Sequence, residues 1–425
     1  MLIVLCFTAS AGVTAHQSTD SLIVSKIVVT GNELTKEYVI LREMSLKVGE
    51  PLDTIAIERD KKQIYSLQLF NKVDIDYTEQ ENRATVFVSV SERWYVFPIP
   101  IIGFKYRDIN KMYYGLSLLH QNFRGRNEKL AASAVFGYDG WFDLAYQNPK
   151  LTSDDDLFLR FEGGYHHVRN QNTSAGEYDQ KVSSASLSFG ERQGLYLTIL
   201  GFAGFNLWQI GDPQPGRTVS PLGIDRFLTI GGMIQYDRRD IREYPTSGSF
   251  ASISLVKYGL GESDVNLFRY GVDFRGYQPI GSGFSICERA FGSFLSGGLA
   301  PSYLHAYYGY FDRIRGYYSM IMEGEDILGG SLELRYPLFA PRYTTVAARY
   351  LPPEFSVWRY GMYAALFADG GTIWYRTDQV MSTPWYAGYG GGVHFLLPYS
   401  IVLRTEYAFN QHGNGQFVFG IGASF

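Results

Sequence analysis

The run Asp312-Arg313-Ile314-Arg315-Gly316-Tyr317 gathers side chains able to fasten a loop. The guanidinium of Arg315 never loses its charge, so wherever it leaves water it needs a carboxylate. Gly316 allows a tight backbone turn beside it, and Tyr317 supplies a flat apolar ring with one polar tip. Two downstream acids, Glu333 and Asp369, are candidate partners. This chemistry is a clasp rather than a reaction. The sequence holds no H-E-x-x-H, Walker-type or G-x-S-x-G element, and Gly390-Gly391-Gly392 lies in a strand-like stretch rather than a phosphate loop. His166 and His167 are adjacent on a strand, face opposite ways and cannot share a metal. His394 reads as a hydrogen-bonded lining residue. No catalytic residue, metal or cofactor is expected.

Something must carry the clasp. The motif sits near the end of a long loop-like run, about 297–326, between segments that alternate in strand fashion. Leu332, Leu334 and Tyr336 oppose Glu333 and Arg335; Leu403, Thr405, Tyr407 and Phe409 oppose Arg404, Glu406 and Asn410. Asp369 falls opposite Ala364, Leu366 and Ala368, on the same inward side as Glu333. From Trp94 onward about sixteen such strands can be counted, an even number as in bacterial outer-membrane barrels. Connections alternate between short and long and polar, the asymmetry of a barrel with short periplasmic turns and long outer loops. Residues 340–358 break the rule by being long where a short turn is due, which leaves room for a miscounted hairpin.

Composition agrees with a membrane barrel. The 425 residues include 33 Tyr, 29 Phe and 46 Gly, yet no apolar run reaches the length of about eighteen needed for a helical span. A net charge of -4 with no basic patch argues against nucleic acid. Met1–Ala15 reads as the apolar core of a secretory signal, with Val13-Thr14-Ala15 as its cleavage site and a start that is truncated in its basic region. Its removal takes Cys6 away and leaves Cys287 without an intrachain partner.

Residues 21–93 read differently. A strand over Ile23–Thr30, two helices around Tyr38–Met44 and Thr54–Leu69, and a hairpin of two strands give the order β-α-α-β-β of a small α+β domain. The stretches VVTGNELTKEYVILREM, KVGEPLD, LQLFNKVDI and VSVSER resemble a polypeptide-transport-associated (POTRA) domain, present once. Its asset would be an exposed sheet edge able to take an extended strand; a plain spacer is the alternative.

The first barrel strand carries Pro98 and Pro100, which lack N–H groups on one side. If that side faces the last strand, the closing seam is weak, with Gly420 and Gly422 thinning it further. The alternative is that the prolines mark the turn out of the first domain. Phe417, Phe419, Ile421, Ala423 and Phe425 are expected outward on the last strand, and its final aromatic resembles the C-terminal assembly signal of outer-membrane barrels.

With these parts in place the chain resembles the BamA/TamA superfamily, the bacterial surface-antigen family, over nearly its whole mature length. Ile314-Arg315-Gly316-Tyr317 matches the V-R-G-F/Y of the sixth outer loop, and Phe367-Ala368-Asp369-Gly370-Gly371 matches F-x-D-x-G. Asp237-Arg238-Arg239-Asp240, Asn122-Phe123-Arg124-Gly125-Arg126 and Glu333-x-Arg335 are weaker matches. The resemblance implies an all-β transmembrane barrel behind one POTRA domain, with the loop folded into the lumen and Arg315 paired to Asp369 beside Phe367. It implies assembly or translocation of polypeptides, with outer-membrane lipid, unfolded or extended clients and periplasmic accessory proteins as partners. A passive porin or receptor barrel, and the membrane anchor of an exported effector, remain the competing readings.

Overall fold

The computed structural model describes residues 22–425 except 106–107, 153–155, 172–175, 262, 347–351, 380–381 and 424. The signal expected over Met1–Ala15 lies outside these residues.

Five elements build the first domain: β1 (Ile23–Thr30), α1 (Glu37–Leu41), α2 (Thr54–Ser66), β2 (Phe70–Gln80) and β3 (Arg83–Glu92). The helices form a crossover, so β1 joins β3 in parallel and the sheet order is β1-β3-β2. Asp53 caps α2 by accepting from the Ile55 N–H at 2.9 Å. Thr35 does not cap α1; its hydroxyl lies 3.0 Å from that of Tyr95 and accepts from Asn122 Nδ2 at 2.9 Å. Val24, Ile40, Ile64, Leu69, Phe70, Val86 and Val88 fill the core. Asp60 is fully buried and accepts from the N–H groups of Ser45 and Leu46. Asp60→Ala orphans both donors, a cost of about 1–3 kcal/mol each. The expected result is much faster amide exchange at Ser45 and Leu46, with exchange in the barrel strands unchanged.

The remaining strands are β4 (Val96–Phe104), β5 (Met112–Phe123), β6 (Glu128–Gly137), β7 (Gly140–Asn148), β8 (Leu157–Arg169), β9 (Asp179–Gln193) and β10 (Leu197–Ile210). They continue as β11 (Ile224–Asp237), β12 (Gly248–Tyr258), β13 (Leu267–Gly281) and β14 (Phe284–Gly297). Two short loop strands, β15 (Ala306–Tyr308) and β16 (Met322–Gly324), pair with each other. The last five are β17 (Asp326–Thr345), β18 (Val357–Trp374), β19 (Tyr386–Leu397), β20 (Ile401–Asn410) and β21 (Gly415–Ile421). All but the loop pair form one 16-stranded antiparallel meander running from β4 to β21. No extra hairpin interrupts residues 340–358 among the described residues. Instead β17 and β18 are long, 20 and 18 residues, and pair from Asp326↔Trp374 out to Thr345↔Val357.

Burial separates a membrane barrel from a soluble sandwich. Large apolar side chains on the outward positions are exposed, among them Leu116, Leu118, Ile234, Leu332, Leu366 and Tyr407. Charged groups on the inward positions are hidden: Glu333 and Arg335 are 0% exposed and Glu406 1%. An aqueous fold would reverse the two. Among the described residues no helix is long and apolar enough to cross a membrane.

The first domain sits on the end of the barrel formed by the short turns. Lys36 donates its N–H to the Gly125 carbonyl at 2.8 Å, Arg192 Nη1 reaches Glu43 at 2.8 Å, Lys62 lies 3.4 Å from Asp240, and Arg93 Nη1 donates to Ser400 at 3.1 Å. A Cβ on Gly125 would lie 2.0 Å from the Leu34 carbonyl, so the Asn122–Arg126 turn needs glycine for this contact.

Candidate functional site

At the opposite end, residues 298–325 between β14 and β17 fold back into the lumen. Tyr308, Ile314 and Met322 are buried against Ile327 and Ile373 of the wall, and Arg289 Nη1 holds Asp312 at 3.0 Å. The run Arg315–Tyr317 forms a single 3-10 turn. Gly316 is not there for a left-handed turn. It lies flat on β19 and β20: an added Cβ would meet the Phe409 carbonyl at 2.6 Å and the Cα atoms of Asn410 and Gly388 at 2.9 Å. Tyr317 packs edge-on against Tyr386, ring centroids 5.2 Å apart.

This seating delivers the guanidinium to three acids. Arg315 Nε and Nη2 donate to Asp369 Oδ2 and Oδ1, both at 2.7 Å, and its backbone N–H reaches Oδ2 at 3.0 Å. Nη1 donates to Glu333 Oε2 at 2.6 Å and Glu406 Oε1 at 2.9 Å. The guanidinium carbon stands 3.5 Å from the centroid of the Phe367 ring, a cation–π contact on its remaining face. Two further arginines complete the group: Arg335 Nε donates to Glu333 Oε1 at 2.6 Å, and Arg404 Nη1 to Glu406 Oε2 at 3.3 Å. Three carboxylates thus face three guanidiniums, so each buried acid has a cationic partner.

Glu406 was readable as inward from its parity, but nothing in the strand pattern says that the loop reaches as far as β20. His394, 0% exposed, stands between the Tyr244 hydroxyl at 2.7 Å and Glu406 Oε1 at 3.1 Å. Glu333, His394 and Glu406 have ligand atoms within 4.8 Å of one another, a spacing that suits a cation. Arg315 Nη1 already fills that position.

The seam residues divide. The Tyr95 carbonyl accepts from the Gln121 N–H at 2.9 Å, which turns the odd residues of β4 toward β5. Pro98 and Pro100 are even, so their missing N–H groups lie on the edge away from β5. That edge and the outer edge of β21 share no ladder among the described residues. On β21 the Gly422 N–H donates to the Val402 carbonyl, which turns the even residues toward β20 and the odd ones toward the gap. One of those odd carbonyls, that of Phe419, accepts from the hydroxyl of loop residue Tyr318 at 3.1 Å.

Gly420 leaves room for an inward group rather than thinning the outer surface: a Cβ there would lie 2.7 Å from Arg404 Nη2. Phe425 is not outward. The strand ends at Ile421, Gly422 takes φ +98, and the chain turns into the lumen. Phe425 packs with Tyr277 and Cys287, and its carbonyl accepts from the Tyr277 hydroxyl at 3.1 Å. Ala423 follows it inward against Tyr244, Tyr363, Leu396 and Val402. The outward pattern failed after residue 421 because alternation assumes a strand that a positive φ has already ended. Phe425→Ala is expected to expose Cys287, which is 0% exposed, so its maleimide labelling in the folded protein should accelerate while Arg315-dependent protection of the loop is unchanged.

Residues 122–425 match the Omp85 superfamily domain. The chain belongs to the Omp85 superfamily. Residues 22–93 match the surface antigen variable number repeat, the POTRA domain. The Omp85 chain is therefore an outer-membrane barrel with its POTRA domain on the periplasmic side. A curated relative, "Outer membrane protein assembly factor BamA" of Nitratidesulfovibrio vulgaris, is 22% identical over 322 residues. That match takes in 71% of this chain but 39% of the relative, so the chain spans well under half of that protein. Among solved structures, Haemophilus ducreyi BamA lacking POTRA domains 1–3 aligns over 95% of this chain and 84% of its own, at 18% identity and TM-score 0.56. CdiB from Escherichia coli aligns over 98% and 92%, at 10% identity and TM-score 0.54. At these identities the likeness is one of fold.

Proposed function

We propose that this Omp85 chain inserts or passes polypeptides at the outer membrane without chemical catalysis. The POTRA domain receives an extended client at a sheet edge, β1 or β2, and the client enters the barrel between β4 and β21. The observation that carries this reading is the unpaired seam, with two prolines on one lip. An unpaired edge is a template for an incoming strand. Tyr318 links the seam to the clasp, since the loop that Arg315 fastens also holds a carbonyl on the β21 lip. A cavity of about 510 Å3 beside the clasp is lined by Arg315, Tyr318, Phe419 and Gly420, which leaves space behind the seam. A passive porin is disfavoured because the loop fills one end of the lumen and the POTRA domain is fastened across the other.

Cysteines at Ile102 and Phe417, outward positions that are 71% and 64% exposed near the same end of β4 and β21, allow the seam to be bridged with a short bismaleimide. In vesicles holding the purified protein, an urea-unfolded barrel client should fold quickly with the unbridged variant. Bridging should return client folding to the rate of empty vesicles. Client folding at full rate through a bridged seam rejects this route.

A further inference from the structure

Between the POTRA domain and the inner barrel wall lies a second cavity, of about 540 Å3. Its wall comes from inward positions of β6 to β11, while the neighbouring outward residues Phe161, Phe189 and Ile234 are exposed toward lipid. The lining holds five cationic side chains, Arg42, Lys129, Arg160, Arg192 and Arg242, and one carboxylate, Glu43. Arg42 and Arg192 share that carboxylate, at 3.2 and 2.8 Å. Arg242 lies 3.3 Å from Asp237, which Arg239 already grips through two hydrogen bonds. Arg160 pairs with Glu162. Among the described residues Lys129 has no ion pair, and the charged groups that act on it, Arg242 and Arg160, are of its own sign. Among the described residues these six cations share three carboxylates in ion pairs, with Asp156 acting on Arg42 from farther away. Like charges gathered in a partly closed cleft repel one another and raise the local concentration of anions.

We propose that this cavity receives an acidic stretch of a polypeptide client as it passes from the POTRA domain into the barrel. The inference rests on the polypeptide-handling function proposed above and names a chemical preference for it. Arg42 and Arg192 already hold one carboxylate at this place, that of Glu43, and an acidic side chain of a client presents the same group. Gln68, Gln147 and Gln235 on the same lining offer side-chain amides that can bond an extended backbone. Lipid headgroups are excluded by position, because the cations face the lumen.

The test uses the full chain in detergent and two fluorescent peptides, one rich in Asp and the other with every Asp replaced by Asn, read by anisotropy. The acidic peptide should bind at least about tenfold more tightly than its neutral counterpart, and added salt should weaken it. In Lys129→Gln/Arg242→Gln the acidic peptide should bind about tenfold more weakly, with heat-modified migration unchanged. Equal binding of the two peptides, or no change in the variant, overturns the proposal. Displacement by inorganic phosphate at concentrations matching the peptide also overturns it and makes the cavity a small-anion site. Failure of client folding with peptide binding intact would count against the proposed function alone.

Discussion

Arg315→Ala should free the loop and cost the folded barrel about 3–5 kcal/mol, the range for removing one partner from a buried ion pair. The size follows from what remains. Asp369, Glu333 and Glu406 would keep three carboxylates in a site with two guanidiniums, Arg335 and Arg404, and Asp369 would lose both side-chain hydrogen bonds that Arg315 gives it. Water can enter to solvate them only if the loop lifts. Protease added outside intact cells should then cut within residues 298–325, and the heat-modified band should appear at a lower temperature. Arg315→Lys keeps the charge but cannot span Asp369 with a two-pronged fork while also reaching Glu333 and Glu406, so it should fall between wild type and alanine.

Gly316→Val should release the same loop with every charge still present. The atoms a side chain would strike, the Phe409 carbonyl and the Cα atoms of Asn410 and Gly388, belong to the backbone of two barrel strands. Backbone in a ladder cannot step aside as a side-chain tip can, so the strain exceeds the usual overpacking cost of about 1–3 kcal/mol unless the turn lifts away. Lifting withdraws Arg315 as well. Valine at 316 should therefore reproduce the protease sensitivity of Arg315→Ala, and combining the two should add little. Wild-type protection in Gly316→Val would mean that the turn does not sit against β19 and β20.

Much of this arrangement was legible in the sequence because barrels expose their register. Alternation alone places Glu333, Asp369 and Glu406 on the inward side, and an arginine inside a long loop demands such partners. The strand count followed from the same period of two. What period and composition do not carry is lateral position. That the Arg315 side chain spans β17, β18 and β20 at once depends on how the loop crosses the lumen, so Glu406 was not singled out. The role assigned to Gly316 was also different, since a close approach and a tight turn ask for the same residue type. Phe425 was misplaced because Gly422 ends the strand by a dihedral angle, and residue identity alone does not distinguish that from a glycine within a strand. Pro98 and Pro100 were visible as missing donors, but which lip they weaken was decided by a single hydrogen bond, from Gln121 to Tyr95.

The clasp itself is tested most directly by a double-mutant cycle on Arg315 and Asp369, with unfolding followed in vesicles for wild type, Arg315→Ala, Asp369→Ala and the pair. The geometry predicts strong coupling: each single change strands a buried charge, and the double change should cost far less than the sum of the two. Additive costs would show that the two groups do not hold one another, and would contradict the account.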